Sequence, residues 1–241
     1  MKVILDRDAL VDNIIQCNNF CRDKNVDVSF MLKSYFLRDD FLRELFAKQK
    51  TYTTCSCNGF LKYDSVCFVA DLLEKREGLD KAYFAHHYGN GEYAILNCYC
   101  ASEKLPTEAE LKRAIDFLHE NGYVVSAGGT VIGYYDNNDY DELRIGEGVL
   151  TGYSTVVKKN FIGCTNPFTI EMDIEQLKDD FVLVNHGFLE LGGFTDTKPL
   201  FVNTDLSGFD IKTARTGKVV VHPDYYTLIK LFAGGIDVEY K

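Results

Sequence analysis

At 241 residues the chain is long enough for one barrel-sized domain, or for a smaller domain with an appendage, and it can bury a substantial core. Hydrophobic residues at 46%, aromatics at 13% and only 4 prolines describe an ordinary soluble globular protein and exclude low-complexity or linker-like stretches. A formal net charge of -10 and a pI near 5.0 exclude a broad nucleic-acid surface, which needs clustered Lys and Arg to displace counterions from phosphates, while a small local anion site stays open.

Charges at Asp6, Arg7, Asp8 and Asp12 break the apolar core that a signal peptide needs, and no run approaches membrane-spanning length. The expectation is a cytoplasmic protein with no membrane partner, whose 8 cysteines are reduced thiols. Cys55 with Cys57 and Cys98 with Cys100 form C-x-C pairs that raise the question of zinc. No C-x-x-C or Cys-His pairing completes a tetrahedral set, so they read as buried thiols and no metal site is expected.

In chain order, Lys2 to Leu5 reads as a short strand and Asp8 as the N-cap of a helix to about Lys24, with Leu10, Ile14 and Cys17 or Cys21 on its buried stripe. In Val26 to Phe36, Val26, Val28, Phe30 and Leu32 fall on one face of a strand, while Asp27, Ser29, Met31 and Lys33 fall on the other. Lys33 thus sits at the carboxyl end of a strand, where α/β barrels keep their chemistry; the plainer alternative is a solvated lysine. Asp39 to Lys48 repeats the helical pattern, and Thr51 to Ser56 and Ser65 to Leu72 read as strands. Two more strand candidates surround the turn signal Gly89-Asn90-Gly91.

Thr107 and Glu110 form a capping box that opens a helix ending at Asn121-Gly122. The strand YVVS follows and runs into Ala127-Gly128-Gly129-Thr130, whose hydroxyls and exposed backbone N–H groups suit a phosphate, although a glycine pair after a strand is also an ordinary turn. Arg144 to Gly148 leads into VLTGYSTV, read as a further strand. From Phe168 onward short strands dominate until a helix at Asp224 to Phe232, so residues 166–241 read as a small, mostly β second domain after an α/β domain of residues 1–165.

These segments together resemble the fold-type III pyridoxal-phosphate racemases, the ornithine racemase-like branch more than alanine racemase proper. VSFMLKSYF resembles the family's strand ending in the Schiff-base lysine, and ADLLEKREGL is similar to its "DLGDLREG" segment. LNCYCASEKLPTEAEL, VVSAGGT and LRIGEGVLTG follow in the family's order, similar to "NLACYGG..PT.EN", "VSGGNS" and "LRIGEAILLG". The resemblance implies an α/β fold in which a reduced TIM-like (β/α) barrel of the alanine racemase N-terminal type precedes the β domain. It implies pyridoxal 5'-phosphate as cofactor, a homodimer, and racemisation or epimerisation of a free amino acid by proton exchange at Cα.

Residue by residue, it implies that Lys33 carries the cofactor and serves as one acid/base. Arg144 lies against the pyridine nitrogen, Arg76 faces the phenolic oxygen and the substrate carboxylate, and Asn97 lies against the ring. Ser126, Gly128, Gly129 and Thr130, with the Gly146 backbone, hold the phosphate. A pyridine nitrogen facing Arg stays unprotonated, which suits a proton swap better than transamination. The family's second acid/base comes from the β domain of the other subunit, and His186 in LVNHGFLEL is the titratable candidate there; a histidine in a β turn is the plainer reading. Arg76 read alone is one more charge in a polar turn, and Arg144 read alone is a surface partner of Asp141 or Glu142.

The chain departs from the family between Ser56 and Ser65, where a brief connection replaces about two strand-helix units of the barrel. A barrel ties strand number to tilt and diameter, so the loss implies a smaller or opened barrel. The other function class is therefore a non-catalytic racemase-like protein that binds pyridoxal phosphate, another small anion or a protein partner.

Overall fold

Alternation at a period of two turns Lys2 to Leu5 into a strand with Val3 and Leu5 fully buried, and in the computed structural model this strand belongs to the C-terminal part of the chain. The structure describes residues 1–54, 68–72, 83–88, 93–97, 107–136, 139–177, 182–184 and 218–241. The elements begin β1 (Lys2–Leu5), α1 (Arg7–Asp23), β2 (Asp27–Lys33), a 3-10 turn (Phe36–Arg38), α2 (Asp40–Phe46) and β3 (Thr51–Thr54). They continue with β4 (Phe68–Leu72), β5 (Tyr83–Tyr88), β6 (Tyr93–Asn97), α3 (Glu108–Glu120), β7 (Val124–Gly128), a 3-10 helix (Thr130–Tyr134) and β8 (Glu142–Ile145). After α4 (Glu147–Thr151) come β9 (Tyr153–Ser154), β10 (Lys159–Asn160), β11 (Phe168–Leu177), β12 (Val182–Val184), β13 (Lys218–Val221), α5 (Tyr225–Ala233) and β14 (Val238–Tyr240).

Two compact units divide the chain, residues 15–149 and residues 1–14 with 150–241. The division falls at 149/150 rather than at 165/166, and the first strand goes with the C-terminal unit. The reason is hydrogen bonding: β1 runs antiparallel to β11 and parallel to β14. β11 also pairs antiparallel with β12 and β13, and the edge-on pair Phe168 and Phe232, ring centroids 5.9 Å apart, packs α5 against this unit's core.

The unit of residues 15–149 holds a seven-stranded sheet in the order β3-β2-β8-β7-β6-β5-β4. From β3 to β6 neighbouring strands are parallel, and β5 is antiparallel to both β6 and β4. The unit's first strand, β2, thus lies beside its last, β8, and no pairing among the described residues joins the sheet's ends at β3 and β4. Phe30 and Leu32 bury one face of β2, with Phe30 edge-on to Phe46 of α2 at 5.6 Å between centroids.

Caps set the helix starts. Thr107 and Glu110 form the expected reciprocal box, with Thr107 N donating to Glu110 Oε2 at 2.7 Å and Glu110 N to Thr107 Oγ1 at 3.3 Å. Asp39 and Asp224 cap α2 and α5 by accepting from Leu42 N at 2.9 Å and Thr227 N at 2.7 Å. In α1 the cap is Asp6, which accepts from Ala9 N at 3.0 Å, so the expected Asp8 lies one residue inside the helix. VLTGYSTV is also not one strand: its first residues complete α4, and a positive φ of +66° at Gly152 ends that helix before the short β9–β10 pair. Among the described residues no helix is long and apolar enough to cross a membrane.

Cys17 and Cys21 are buried thiols on the inner stripe of α1. Burial pushes the Cys21 thiol up to about 12 from its ordinary 9.0, against an opposing pull from Lys24 and with lesser pushes from Asp27 and Glu142. Between those values the unfolded chain releases a proton that the folded chain keeps. This group's contribution is fully present below the unfolded value and is lost as pH rises through the folded one, at most about 1.4 kcal/mol per pH unit. Urea melts of the wild type and Cys21→Ala should therefore converge as pH rises above about 9. A constant gap between them would mean that the thiol ionises in the fold as freely as outside it.

Candidate ligand-binding site

The four residues of β8 are all buried, with Leu143 and Ile145 on one face and Glu142 and Arg144 on the other. Two charged residues on a buried face require partners, because an unpaired buried charge is costly. The neighbouring strands supply them. Register places Ser126 of β7 opposite Glu142 and Gly128 opposite Arg144, and on the other side places Ser29 of β2 opposite Arg144.

Arg144 is 0% exposed. Its Nη1 donates to the Ser126 carbonyl and, at 2.9 Å, to Ser126 Oγ, while Nη2 donates to the Leu96 carbonyl of β6 at 3.1 Å. Ser126 Oγ in turn donates to Glu142, whose other oxygen pairs with the Lys50 ammonium. Gly128 makes room for the guanidinium: a Cβ there would lie 2.4 Å from Nη2 and 2.7 Å from Cζ. The surface partnership of Arg144 with Asp141 or Glu142 is thereby excluded, and Arg144 is a core residue.

Lys33 ends β2 on the face that carries Ser29 and Met31, and it is partly buried. It lies four positions along the strand from Ser29, roughly 13 Å along the sheet. Beyond β7 the chain passes through a cis Gly128–Gly129 peptide into the 3-10 helix. Thr130 Oγ1 accepts from Gly148 N at 2.9 Å, so the segments 129–130 and 146–148 lie side by side. A Cβ on Gly129 would meet nothing within 4 Å among the described residues, whereas one on Gly146 would lie 2.6 Å from the Met31 carbonyl. Gly146 therefore allows the chain after β8 to pass close over β2.

Of the expected site residues, Ser126, Gly128 and Arg144 form one contact set, and Thr130 and Gly146 border a second. Asn97 ends β6 opposite Gly128 in register. Arg76 and His186 lie outside the described residues. Two expected roles change in this geometry. Ser126 has its hydroxyl proton committed to Glu142, and Gly128 is the floor under a guanidinium, so both serve Arg144 directly. Lys50 escaped the sequence analysis, and Glu142 entered it only as a surface partner of Arg144, although ELRI, with charges at alternate positions between apolar residues, is the signature of a strand with one polar face. Ser29 Oγ is buried and has no hydrogen-bond partner among the described residues, on the same face.

No protein-family model and no curated protein matches the chain.

Proposed function

We propose that residues 15–149 form a reduced, barrel-like α/β unit that binds pyridoxal 5'-phosphate and supports proton exchange at Cα of a free amino acid, within a homodimer. The observation that carries the reading is Arg144, a permanently charged donor fully buried over Gly128, on a sheet whose neighbouring strand ends at Lys33. A barrel-like wrap is supported by the parallel pairing of the unit's first strand with its last and by burial of both faces of β8.

The available groups fit that cofactor. Lys33 offers an amine, Arg144 offers only donors and so favours an unprotonated ring nitrogen, and the Ser29 hydroxyl, without a partner among the described residues, offers a donor and an acceptor. The backbone at Gly129, side by side with that of 146–148, suits a phosphate. Bound there, the cofactor would act as an electron sink that acidifies the Cα proton. Lys33 would move that proton at its amine, and Arg144 would keep the sink weak enough to favour return of the proton over other chemistry.

Borohydride reduction in the presence of pyridoxal 5'-phosphate should attach the cofactor to Lys33, and peptide mapping should find it on no other lysine. An adduct elsewhere, or none at saturating cofactor, overturns the reading. Solvent deuterium entering an amino acid at Cα then marks a racemase, and labelling of Lys33 without such exchange marks the non-catalytic binder.

A further inference from the structure

We infer that Glu142 is the positioning residue for Arg144, acting through the hydroxyl of Ser126, with Lys50 as the counter-charge that keeps Glu142 in place. The hydrogen-bond directions are fixed by chemistry. A guanidinium has only donors, so Ser126 Oγ accepts from Arg144 Nη1, and its single proton goes to Glu142. An ammonium also has only donors, so the second carboxylate oxygen accepts from Lys50. Glu142 is thus an acceptor at both oxygens and dictates which way the serine hydroxyl turns.

That direction matters for the guanidinium. With the Ser126 proton turned to Glu142, a lone pair faces Arg144, and the Ser126 carbonyl, Ser126 Oγ and Leu96 carbonyl fix the guanidinium plane from two strands. A serine proton released from Glu142 would be free to turn toward Arg144, where donor would meet donor. Glu142 is 1% exposed, so water cannot replace it as the acceptor, whereas Lys50, 38% exposed, reaches it from the rim. Part of this rests on the proposed function, in which the fixed guanidinium faces the cofactor ring; the positioning itself does not.

Nitrogen-15 spectra of the guanidinium in the cofactor-free protein test the positioning alone, with the Arg144 signals assigned by their loss in Arg144→Lys. The wild type should show separate, slowly exchanging Nη signals, and Glu142→Gln should average them while the backbone amide spectrum keeps its dispersion. Separate signals retained in Glu142→Gln overturn the inference. If that variant does not fold, Lys50→Met, altered at the rim, should show partial averaging, and unchanged signals there overturn it equally. Pyridoxal 5'-phosphate affinity, read by borohydride labelling, should fall about tenfold in Glu142→Gln and in Ser126→Ala, and no further in the double variant. Additive losses would show that Glu142 acts by another route. Failure of the wild type to bind the cofactor would overturn the proposed function and leave Glu142 to be decided by the spectra.

Discussion

Gly128→Ala should cost about 2–4 kcal/mol of stability and, if the proposed function holds, abolish cofactor labelling of Lys33, although it adds a single methyl group. Elsewhere such a change is mild, since Ala restricts the unfolded chain and often stabilises slightly where the backbone permits it. Here the methyl would lie 2.4 to 2.9 Å from Nη2, Cζ and Nε of Arg144. An arginine end is usually the most yielding of neighbours. This one is fully buried and tied to three acceptors, so moving it aside breaks charge-assisted hydrogen bonds with no water to replace them. The double variant Gly128→Ala with Arg144→Met is the control. If the clash with the guanidinium is the cause, the double variant should be no less stable than Arg144→Met alone. Two costs that simply add would place the damage in the β7 backbone instead.

Local features of this chain were legible because their causes are local. The capping box at Thr107 and Glu110 depends on two residues three apart, and the strand ending at Lys33 depends on alternation over a few positions. Where two nearby residues satisfy the same rule, the sequence cannot choose: Asp6 and Asp8 both qualify to open α1, and only the structure shows Asp6 bonded to Ala9 N. VLTGYSTV failed for a related reason. A short apolar run fits a buried strand or a buried helical turn equally well, and the hydrogen bond from Gly148 N to Thr130 that anchors α4 comes from residues far along the chain.

Long-range pairing explains the remaining gaps. Nothing in Lys2 to Leu5 says that its partners lie at Phe168 to Glu171 and Val238 to Tyr240, so the unit boundary could not be read. In the site, Ser126, Gly128 and Arg144 were named individually, but not what they do for one another. That depends on the register of β7 against β8, which puts a glycine under a guanidinium and a serine beside a carboxylate. Lys50 was harder still, since it lies between α2 and β3, outside any periodic segment. Its ammonium meets Glu142 across β2, which lies between β3 and β8 in the sheet.

Arg144→Met should lower stability by about 3–5 kcal/mol, the usual cost of removing one member of a buried charged network. Met fills much of the volume and brings its own apolar burial, which offsets part of the loss. It removes the guanidinium's hydrogen bonds to the Ser126 carbonyl, Ser126 Oγ and the Leu96 carbonyl, and with them the donor that holds the Ser126 hydroxyl turned to Glu142. Arg144→Lys keeps the charge but concentrates it at one ammonium, which cannot span acceptors on β6 and β7 as a planar fork does. It should recover less than half of the loss. Urea melts should show both variants with a lower midpoint at an unchanged slope, because the surface exposed on unfolding stays the same. A midpoint for Arg144→Met corresponding to less than about 1 kcal/mol would mean that the guanidinium is not held as described. Binding separates the two variants further. If the fixed plane of donors is what meets the ligand, Arg144→Lys should label at Lys33 with an affinity at least about tenfold weaker, about 1.4 kcal/mol, even where it remains folded. Wild-type affinity in that variant would place the ligand away from Arg144 and leave the buried network with a purely architectural role.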